Sequence, residues 1–468
     1  MRDWNARRIA AAAGAELLVE PTAAAGEGAR GPSGVSIDSR TVAPGELFVG
    51  LAGERTDGGE HAAQALAAGA WGVLVASEHA HALASDARGA VMAHGDPLRA
   101  LQALALAWRR ELGARGAKVV AITGSTGKTS TKDILAALLA AREGARVAAT
   151  PANLNTEIGL PLTILGAPGD TQVLVAEMAM RGPGQIAQLT AIAEPDVGVI
   201  VNVGPAHLEL LGSLEAIAAA KAELLAGLAP NACAVVPANE PLLAPHLRAE
   251  LATITFGAGG DVSLRERRAD GGVLIDHAGE RVELYPSFSQ AHNLVNLLAA
   301  VAAARALGHT PAGHLEVSFT AMRGQREELP DGVVLIDDCY NANPMSMRAA
   351  IDELCSAAPP RRVAVLGDML ELGPDAPALH RELGAYAHGA GVDVLVTVGP
   401  LAAEMSATFA GEIHAAADAE QAAELLERLV GEGDTVLVKG SRGVGLEQAT
   451  ERLRGGLPAA AGAGPGRR

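Results

Sequence analysis

The sequence predicts an α/β protein of three domains, the middle one built to bind a nucleotide and the last a compact Rossmann-like unit. Three observations carry this. The chain has 468 residues, room for about three domains at roughly 150 residues each. Short apolar strands alternate with helical patterns along most of it, the alternation that builds mostly parallel sheets covered on both faces. One of those strands runs directly into a Gly-Lys-Thr turn at a helix start, Thr123-Gly-Ser-Thr-Gly-Lys-Thr129, which has the chemistry of a phosphate cradle.

Composition narrows the function. Lys and Arg number 37 against 54 Asp and Glu, a formal charge of −17, so bulk charge gives no attraction to nucleic acid or to an anionic membrane. Three Trp, three Tyr and five Phe are too few for the stacking platforms of single-strand binders. Cys233, Cys339 and Cys355 lie far apart without Cys-x-x-Cys spacing. Neither a disulfide framework nor a zinc site is indicated, and a reducing, cytoplasmic setting is expected. The longest apolar runs, such as 297–304, fall well short of the ~20 residues of a bilayer span, so no membrane insertion is expected. Arg7 and Arg8 precede an Ala-rich stretch, but Glu16 and Glu20 interrupt the place of a signal-peptide core. A short amphipathic helix is expected there instead.

In chain order, strands are expected around 34–38 and 47–51, a helix over 60–70 and a strand over 71–76, a small α/β domain placed at 1–95. Asp96-Pro97 then opens a helix with an Asp cap and Pro in its first position. The strand 118–122, the Gly-Lys-Thr turn and a second helix follow. Strands at 173–176, 197–203 and 234–236 complete a mostly parallel sheet, and this central domain is placed at 96–328. A second alternation, with strands at 333–336, 363–366, 392–398 and 435–438, marks the third domain, 329–457. The tail 458–468 holds Ala, Gly, Pro and Arg, cannot build a core and is expected to be disordered.

The phosphate turn places Ser125, Thr126 and Ser130 around two glycines. Gly124 and Gly127 let the backbone approach phosphates, Lys128 brings a point charge, Thr129 a hydroxyl for Mg²⁺, and the helix N-terminus its dipole. The common P-loop spacing would require a Gly at Ile122, so this turn is a variant. Glu177 closes the apolar run 173–177 and would emerge at the C-terminal edge of the sheet, where ligands bind in open α/β folds. It reads as a Mg²⁺ ligand or as a solvated strand-end carboxylate. His207 occupies the corresponding edge after 197–203, as a functional group or as a satisfied loop histidine. Lys221 breaks the apolar stripe of Leu214, Ile217, Ala218, Leu224, Leu225 and Leu228. Either it snorkels or it is held neutral, since burial lowers a lysine pKa. Asn293 and Asn296, the run Arg323 to Arg326, and Asp338 with Tyr340 fall at domain junctions. They cap helices or they line an interdomain site that closes on a nucleotide.

The order Thr123-Gly-Ser-Thr-Gly-Lys-Thr129, Glu177-Met-Ala-Met-Arg-Gly-Pro-Gly184, Asn202-Val-Gly-Pro-Ala-His207, Lys221-Ala-Glu223, His292-Asn293 and Arg326 resembles that of the Mur ligases, the ATP-dependent ligases of peptidoglycan precursor synthesis. Four more stretches resemble the branch of that family that joins D-alanyl-D-alanine to UDP-N-acetylmuramoyl-tripeptide: Asn153-Leu-Asn155-Thr-Glu-Ile-Gly-Leu-Pro161, Asp337-Asp-Cys-Tyr-Asn-Ala-Asn-Pro344, Gly367-Asp-Met-Leu-Glu-Leu-Gly373 and Lys439-Gly-Ser-Arg-Gly443. The resemblance runs over about residues 34 to 450.

What the resemblance implies is a three-domain Mur ligase architecture: a first domain for the UDP-sugar peptide, a central ATPase domain, and a last domain that closes over the acceptor. It implies a cytoplasmic monomer using ATP and two Mg²⁺ ions. Ser39, Arg40 and residues 56–58 would meet the UDP end, and Asn153, Asn155 and Thr156 the sugar or its phosphate. Asn293, Asn296, Asp338 and Tyr340 would bracket adenine and ribose, with Arg326 on the phosphates. Thr129 and Glu177 would hold one Mg²⁺, His207 and a carbamylated Lys221 the other. Lys439, Ser441 and Arg442 follow the last strand and are candidates for the dipeptide carboxylate. Thr156 stands where the branch often has a second Asn, and Cys339 where Ser is usual; both replacements are small, and the Thr156 hydroxyl can still hydrogen-bond. The Asp-Asn-Pro-Arg motif of the sibling that adds the third amino acid is absent. That sibling and a folylpolyglutamate-synthetase-like ligase are the alternatives within the class. A P-loop kinase or GTPase would leave Glu177, His207, Lys221 and the third domain without a reason, and a catalytically silent relative would not need all of these groups.

Overall fold

Three sheets succeed one another in the computed structural model, which describes residues 1, 3–21, 31–85, 87, 89–141, 144–330, 332–356 and 361–455. The tail expected to be disordered lies outside the described residues. The first sheet contains β1 (Glu16–Val19), β2 (Val35–Ser36), β3 (Leu47–Val49), β4 (Gly72–Ala76) and β5 (Ala90–His94), in the order β1-β5-β4-β3-β2. β2 to β5 are parallel and β1 runs antiparallel on β5. The strand expected over 34–38 is shorter because Asp38 accepts from the Arg40 amide and turns the chain. The helix expected over 60–70 is a 3₁₀ turn, Gly58–His61, capped by Asp57, followed by the helix Ala62–Ala67. The amphipathic helix expected at the N-terminus is Ala6–Ala13, with Asn5 accepting from the Arg8 amide and Ile9, Ala10 and Ala13 buried.

The second sheet joins β6 (Lys118–Thr123), β7 (Val147–Ala149), β8 (Val173–Glu177), β9 (Val197–Ile200) and β10 (Cys233–Pro237) to β11 (Ala252–Phe256), β12 (Val262–Arg267), β13 (Val273–His277), β14 (Glu280–Pro286) and β15 (Gly313–Leu315). Its order is β15-β14-β13-β12-β11-β10-β9-β6-β8-β7. The half from β7 to β12 is parallel, as expected. The antiparallel meander β12-β13-β14 was not expected, because its outer face is charged and its apolar alternation is short. From β6 the chain lays β7 and β8 to one side and then β9 to the other. This reversal makes the mouth of β6 and β9 a switch point, where open α/β sheets bind ligands.

The third sheet is formed by β16 (Gln325–Glu328), β17 (Val334–Asp337), β18 (Arg361–Gly367), β19 (Val394–Val398), β20 (Glu412–Ala416) and β21 (Asp434–Lys439), in the order β16-β17-β21-β18-β19-β20. All pairs are parallel except β16 on β17. The two added edges, β16 and β20, are the least apolar strands of the sheet, which is why the sequence pattern does not announce them. Among the described residues no helix is long and apolar enough to cross a membrane.

The helix Pro97–Ala114 starts at Asp96 as expected, with the Asp96 carboxylate accepting from the Arg99 amide at 3.1 Å. It buries Leu101, Leu104 and Trp108 in a core that runs continuously from the first sheet to the second. The Trp108 indole donates to the Ala167 carbonyl at 3.1 Å and meets the Trp4 ring edge-on at 5.4 Å. Farther on, the Asp133 carboxylate accepts from the Thr320 amide and hydroxyl at 2.9 and 3.0 Å, tying the connection to the third domain onto the helix Lys128–Ala140. Trp108→Ala leaves a cavity and an unpaired carbonyl at the seam of two domains. It is expected to cost about 3–5 kcal/mol in urea unfolding, with Trp108→Phe losing less.

Candidate active site

Strand β6 ends in a loop whose backbone only glycine allows. Gly124 and Gly127 have φ of +158° and +74°, and a Cβ on Gly127 would lie 2.5 Å from Asn296 Oδ1. The next loop over, after β9, holds this one in shape. Asn202 Oδ1 accepts from the Ser125 and Thr126 amides at 3.1 and 2.9 Å, and its amide nitrogen donates to the Thr126 carbonyl at 3.2 Å. The Ser125 hydroxyl donates to the Gly204 carbonyl at 2.8 Å and accepts from the Gly204 amide at 2.9 Å. Beyond the loop the helix Lys128–Ala140 begins, its first amides lacking partners within the helix. Lys128 donates to the Gly124 carbonyl at 2.7 Å. Burial lowers its pKa, Glu177 opposes this, and the Arg323 guanidinium lowers it further.

Glu177, at the end of β8, is 1% exposed, so the solvated reading is set aside. Thr129 Oγ1 donates to Glu177 Oε2 at 2.9 Å and Asn155 Nδ2 to Oε1 at 2.8 Å. A hydroxyl and a carboxylate held side by side are the hard oxygen donors that suit Mg²⁺. Lys221 is 2% exposed and therefore does not snorkel. Among the described residues its amine has no hydrogen-bond or ion-pair partner. Burial pushes its pKa well below the usual lysine range, and Lys128 adds to the shift. His207 has φ +58° and pairs through Nδ1 with the Glu371 carboxylate from the third domain. Burial lowers its pKa, the Glu371 contact opposes this, and Lys128 and Lys221 push it down.

The phosphate loop, Glu177 and His207 line a cleft of about 940 Å³ between the central and C-terminal domains; Lys221 and Glu371 do not line it. Residues 125–130, Asn153, Asn155, Thr156, Glu177 and His207 line it from the central domain, together with Asn296. Asp338, Tyr340 and Lys439 line it from the C-terminal domain. Gly124 forms the base of the loop, and Asn293 is buried behind the wall, accepting from Asn296 at 3.2 Å.

Several expected residues are placed elsewhere. Arg326 is exposed on β16, opposite Ile336, and does not line the cleft; Arg323 does. The cause is a turn at Met322 and Gly324, both at positive φ, which sends Arg323 inward before the edge strand begins. The Arg323 guanidinium lies 3.9 Å over the Tyr340 ring. Ser441 is a buried staple that accepts from the Leu370 amide at 2.9 Å. Arg442 is exposed and pairs with Glu447 at 3.4 Å. Neither reaches the cleft. Lys439 does, but its ammonium is engaged by Asp338 Oδ2 at 2.6 Å and the Asn341 carbonyl at 2.9 Å. Ser39 and Arg40 follow β2 in the first domain, where Arg40 pairs with Asp38 at 2.7 Å; they do not line this cleft. Asp57 caps the turn at Gly59 and meets His79 Nε2 at 3.0 Å.

Sequence reasoning set the run Arg323 to Arg326 at the interdomain site but gave the phosphate role to Arg326 and not to Arg323, gave His292 no role, and did not single out Glu353; Arg323, His292 and Glu353 all line the cleft, and Arg326 does not. Burial lowers the His292 pKa and raises that of Glu353, which accepts from Gln290 at 2.9 Å. Glu353 had a signal. It lies among Met347, Ala350, Ile351 and Leu354 on a helix, the same break of an apolar face that singled out Lys221.

Models of three protein-family domains match in sequence order: the Mur ligase family catalytic domain over 32–109, the Mur ligase middle domain over 122–304, and the Mur ligase glutamate ligase domain over 322–442. The UDP-N-acetylmuramoyl-tripeptide–D-alanyl-D-alanine ligase of Bacillus subtilis is 35% identical over 431 residues, 90% of this chain and 93% of the relative. The chain belongs to the Mur ligase family. The ligase of the same name from Escherichia coli is 33% identical, with 90% of this chain and 93% of that one covered. A crystal structure of MurF from Acinetobacter baumannii matches with a TM-score of 0.83 at 28% identity, covering 97% of this chain and 99% of that one. MurF from Thermotoga maritima in complex with ADP matches with a TM-score of 0.77 at 32% identity, covering 91% and 97%. In this Mur ligase, Gly127→Ala meets both the left-handed backbone and Asn296. ADP affinity by calorimetry is expected to fall about tenfold or more, with the circular dichroism spectrum unchanged.

Proposed function

We infer that this Mur ligase joins D-alanyl-D-alanine to UDP-N-acetylmuramoyl-tripeptide at the expense of ATP, giving the UDP-pentapeptide for peptidoglycan. One observation carries the reading. A phosphate loop and a Thr129–Glu177 oxygen pair line an interdomain cleft, with Lys221 buried near enough to feel the Lys128 charge, in a chain 33–37% identical to ligases of that name over at least 90% of its length. Those relatives disfavour the sibling that adds the third amino acid. A monomer and a cytoplasmic location complete this reading, the location supported by the use of ATP. The gap from β5 to β6 supports a boundary near 95, whereas β16 already belongs to the third sheet, so the second boundary is assigned to 316–324 rather than to 328.

A carboxylate is a poor acylating group until one oxygen becomes a leaving group. The tripeptide carboxylate attacks the γ-phosphorus of ATP, ADP departs, and an acyl phosphate forms. The neutral amine of the dipeptide attacks its carbonyl, and the tetrahedral adduct expels phosphate. Lys128 and the first amides of its helix neutralise charge on the transferred phosphoryl group. Arg323, not Arg326, is placed to join them, held by Tyr340. Asn153, Asn155 and Thr156 are assigned to the sugar-peptide side, and Asn296, Asp338 and Tyr340 to adenosine. Ser39, Arg40 and residues 56–58 remain the proposed UDP contacts, on a separate face.

Thr129 with Glu177 would hold one Mg²⁺, and His207 with Lys221 a second. Bound Mg²⁺ supplies Lewis-acid neutralisation of the phosphate oxygens. An unmodified Lys221 would be a poor ligand for it. Its partnerless, depressed amine fits carbamylation: the neutral nitrogen adds to CO₂, loses a proton, and leaves a carboxylate where the cleft has a cationic neighbour in Lys128.

The test is phosphate release with the tripeptide nucleotide, with and without D-alanyl-D-alanine, and mass spectrometry of products. Dipeptide-dependent release with a UDP-pentapeptide is expected; release indifferent to the dipeptide, with no new amide, would overturn the reading. Lys128→Ala and Arg323→Ala should each lower kcat about 10²–10³-fold, while Arg326→Ala stays within about threefold of wild type, as for an exposed charge. Separately, ¹³C-bicarbonate should give a carbamate resonance in the NMR spectrum that is absent from Lys221→Met.

A further inference from the structure

The loop after β9 connects the phosphate loop to the C-terminal domain. On one side Asn202 and Gly204 hold Ser125 and Thr126. On the other it receives two parts of the C-terminal domain. Met345 lies where a side chain at position 204 would be: a Cβ on Gly204 would come 1.9 Å from the Met345 sulfur. Three residues on, the His207 imidazole pairs with Glu371, and the Glu209 amide donates to the Glu371 carbonyl at 3.0 Å. The fit is close, since a Cβ on Gly373 would lie 3.2 Å from Glu209 Cα.

His207 and Glu371 both have left-handed backbones, with φ +58° and +61°. Such a conformation is unfavourable for a residue with a side chain and persists where its surroundings over-determine it. Here each turn is fixed by the other, across a domain boundary. The imidazole has two nitrogens, and Glu371 takes Nδ1, so Nε2 is left for the cleft that His207 lines. A carboxylate on Nδ1–H sets the tautomer and ring orientation of a metal-binding histidine and raises its basicity.

We propose that Glu371 is a positioning residue: when the C-terminal domain docks, it locks His207 with Nε2 presented to a divalent cation, so the second cation site is completed only in the closed enzyme. This rests on the reading of His207 as a cation ligand. With the domain undocked, His207 loses its orienting partner, and phosphoryl transfer is withheld until the acceptor side of the cleft is in place.

The test uses the full chain with a non-hydrolysable ATP analogue bound and Mn²⁺ as the probe, titrated by electron paramagnetic resonance. His207→Ala identifies the His207-dependent Mn²⁺. Glu371→Ala is expected to weaken that ion about 10–100-fold at an unchanged thermal midpoint. Glu371→Gln, which can still accept from Nδ1–H, should weaken it less, and Glu371→Ala should add nothing in a His207→Ala background. Mn²⁺ binding within twofold of wild type in Glu371→Ala, while His207→Ala is impaired, overturns the proposal. If His207→Ala binds Mn²⁺ as wild type does, the ligand reading itself falls. If Glu371→Ala folds poorly, Glu371→Asp, one methylene short of the imidazole, is held to the same limits.

Discussion

The side chain of Asn202 accepting from the Ser125 and Thr126 amides is the contact on which the site depends. A loop rich in backbone donors has no reason to keep a concave shape when nothing fills it, and amides left unpaired in a half-buried place are costly. Asn202 removes both problems with one carbonyl, leaving the amides that begin the helix Lys128–Ala140 for an anion. The contact exists because β6 and β9 are neighbours, and they are neighbours because the chain reverses its direction of growth at β6. The topology of the sheet thus pre-shapes the phosphate site, so less ordering is left to the moment of binding.

Charge in the cleft follows the same economy of groups. The Lys128 charge acts on the buried Lys221, and Glu177 is the carboxylate set against the half-buried Lys128. An amine in the place of Lys221 has a poor choice as a cation, with no partner and a like charge nearby. Losing its proton removes the desolvation penalty, and a carboxylate built on it would convert a repulsion into an attraction. The mirror case is Glu353, whose buried carboxyl is pushed toward its neutral form and is held by Gln290 across the domain boundary. Both residues break an apolar helical face; Glu353 lines the cleft, and Lys221 is buried within reach of the Lys128 charge.

That pattern says what was legible in the sequence. The parallel β5, β7, β11 and β20 were not read, whereas the central parallel strands read clearly because strands buried on both faces are continuous apolar runs, as in 173–177 and 435–438. The meander at 262–286 did not, because a sheet with one wet face shows charges such as Arg265, Glu266 and Arg267 where a run is sought. For residues standing on regular elements periodicity gave the position: Glu177 ends β8 and Lys221 sits on the buried face of its helix. It did not for Arg326: the choice between it and Arg323 turns on two positive-φ residues, Met322 and Gly324, and only the second is suggested by its residue type. Ser441 was misjudged for a related reason. Its spacing after β21 is right for a ligand, but its hydroxyl is occupied by the Leu370 amide, a partner 71 residues away that no local pattern reveals.

Long-range partners of this kind also explain why the site sits between domains. The phosphate loop and Glu177 are complete within the central sheet, so the first cradle for nucleotide phosphates is formed by that domain. Tyr340, Lys439 and the orienting Glu371 arrive from the C-terminal sheet, and Arg323 from the connection that Asp133 ties to the phosphate-binding helix. An enzyme that makes an acyl phosphate must keep water from it until the amine is in position. Dividing the donors of the cleft between two domains meets that need, since an undocked C-terminal domain leaves a cradle for phosphate with much of its chemistry missing.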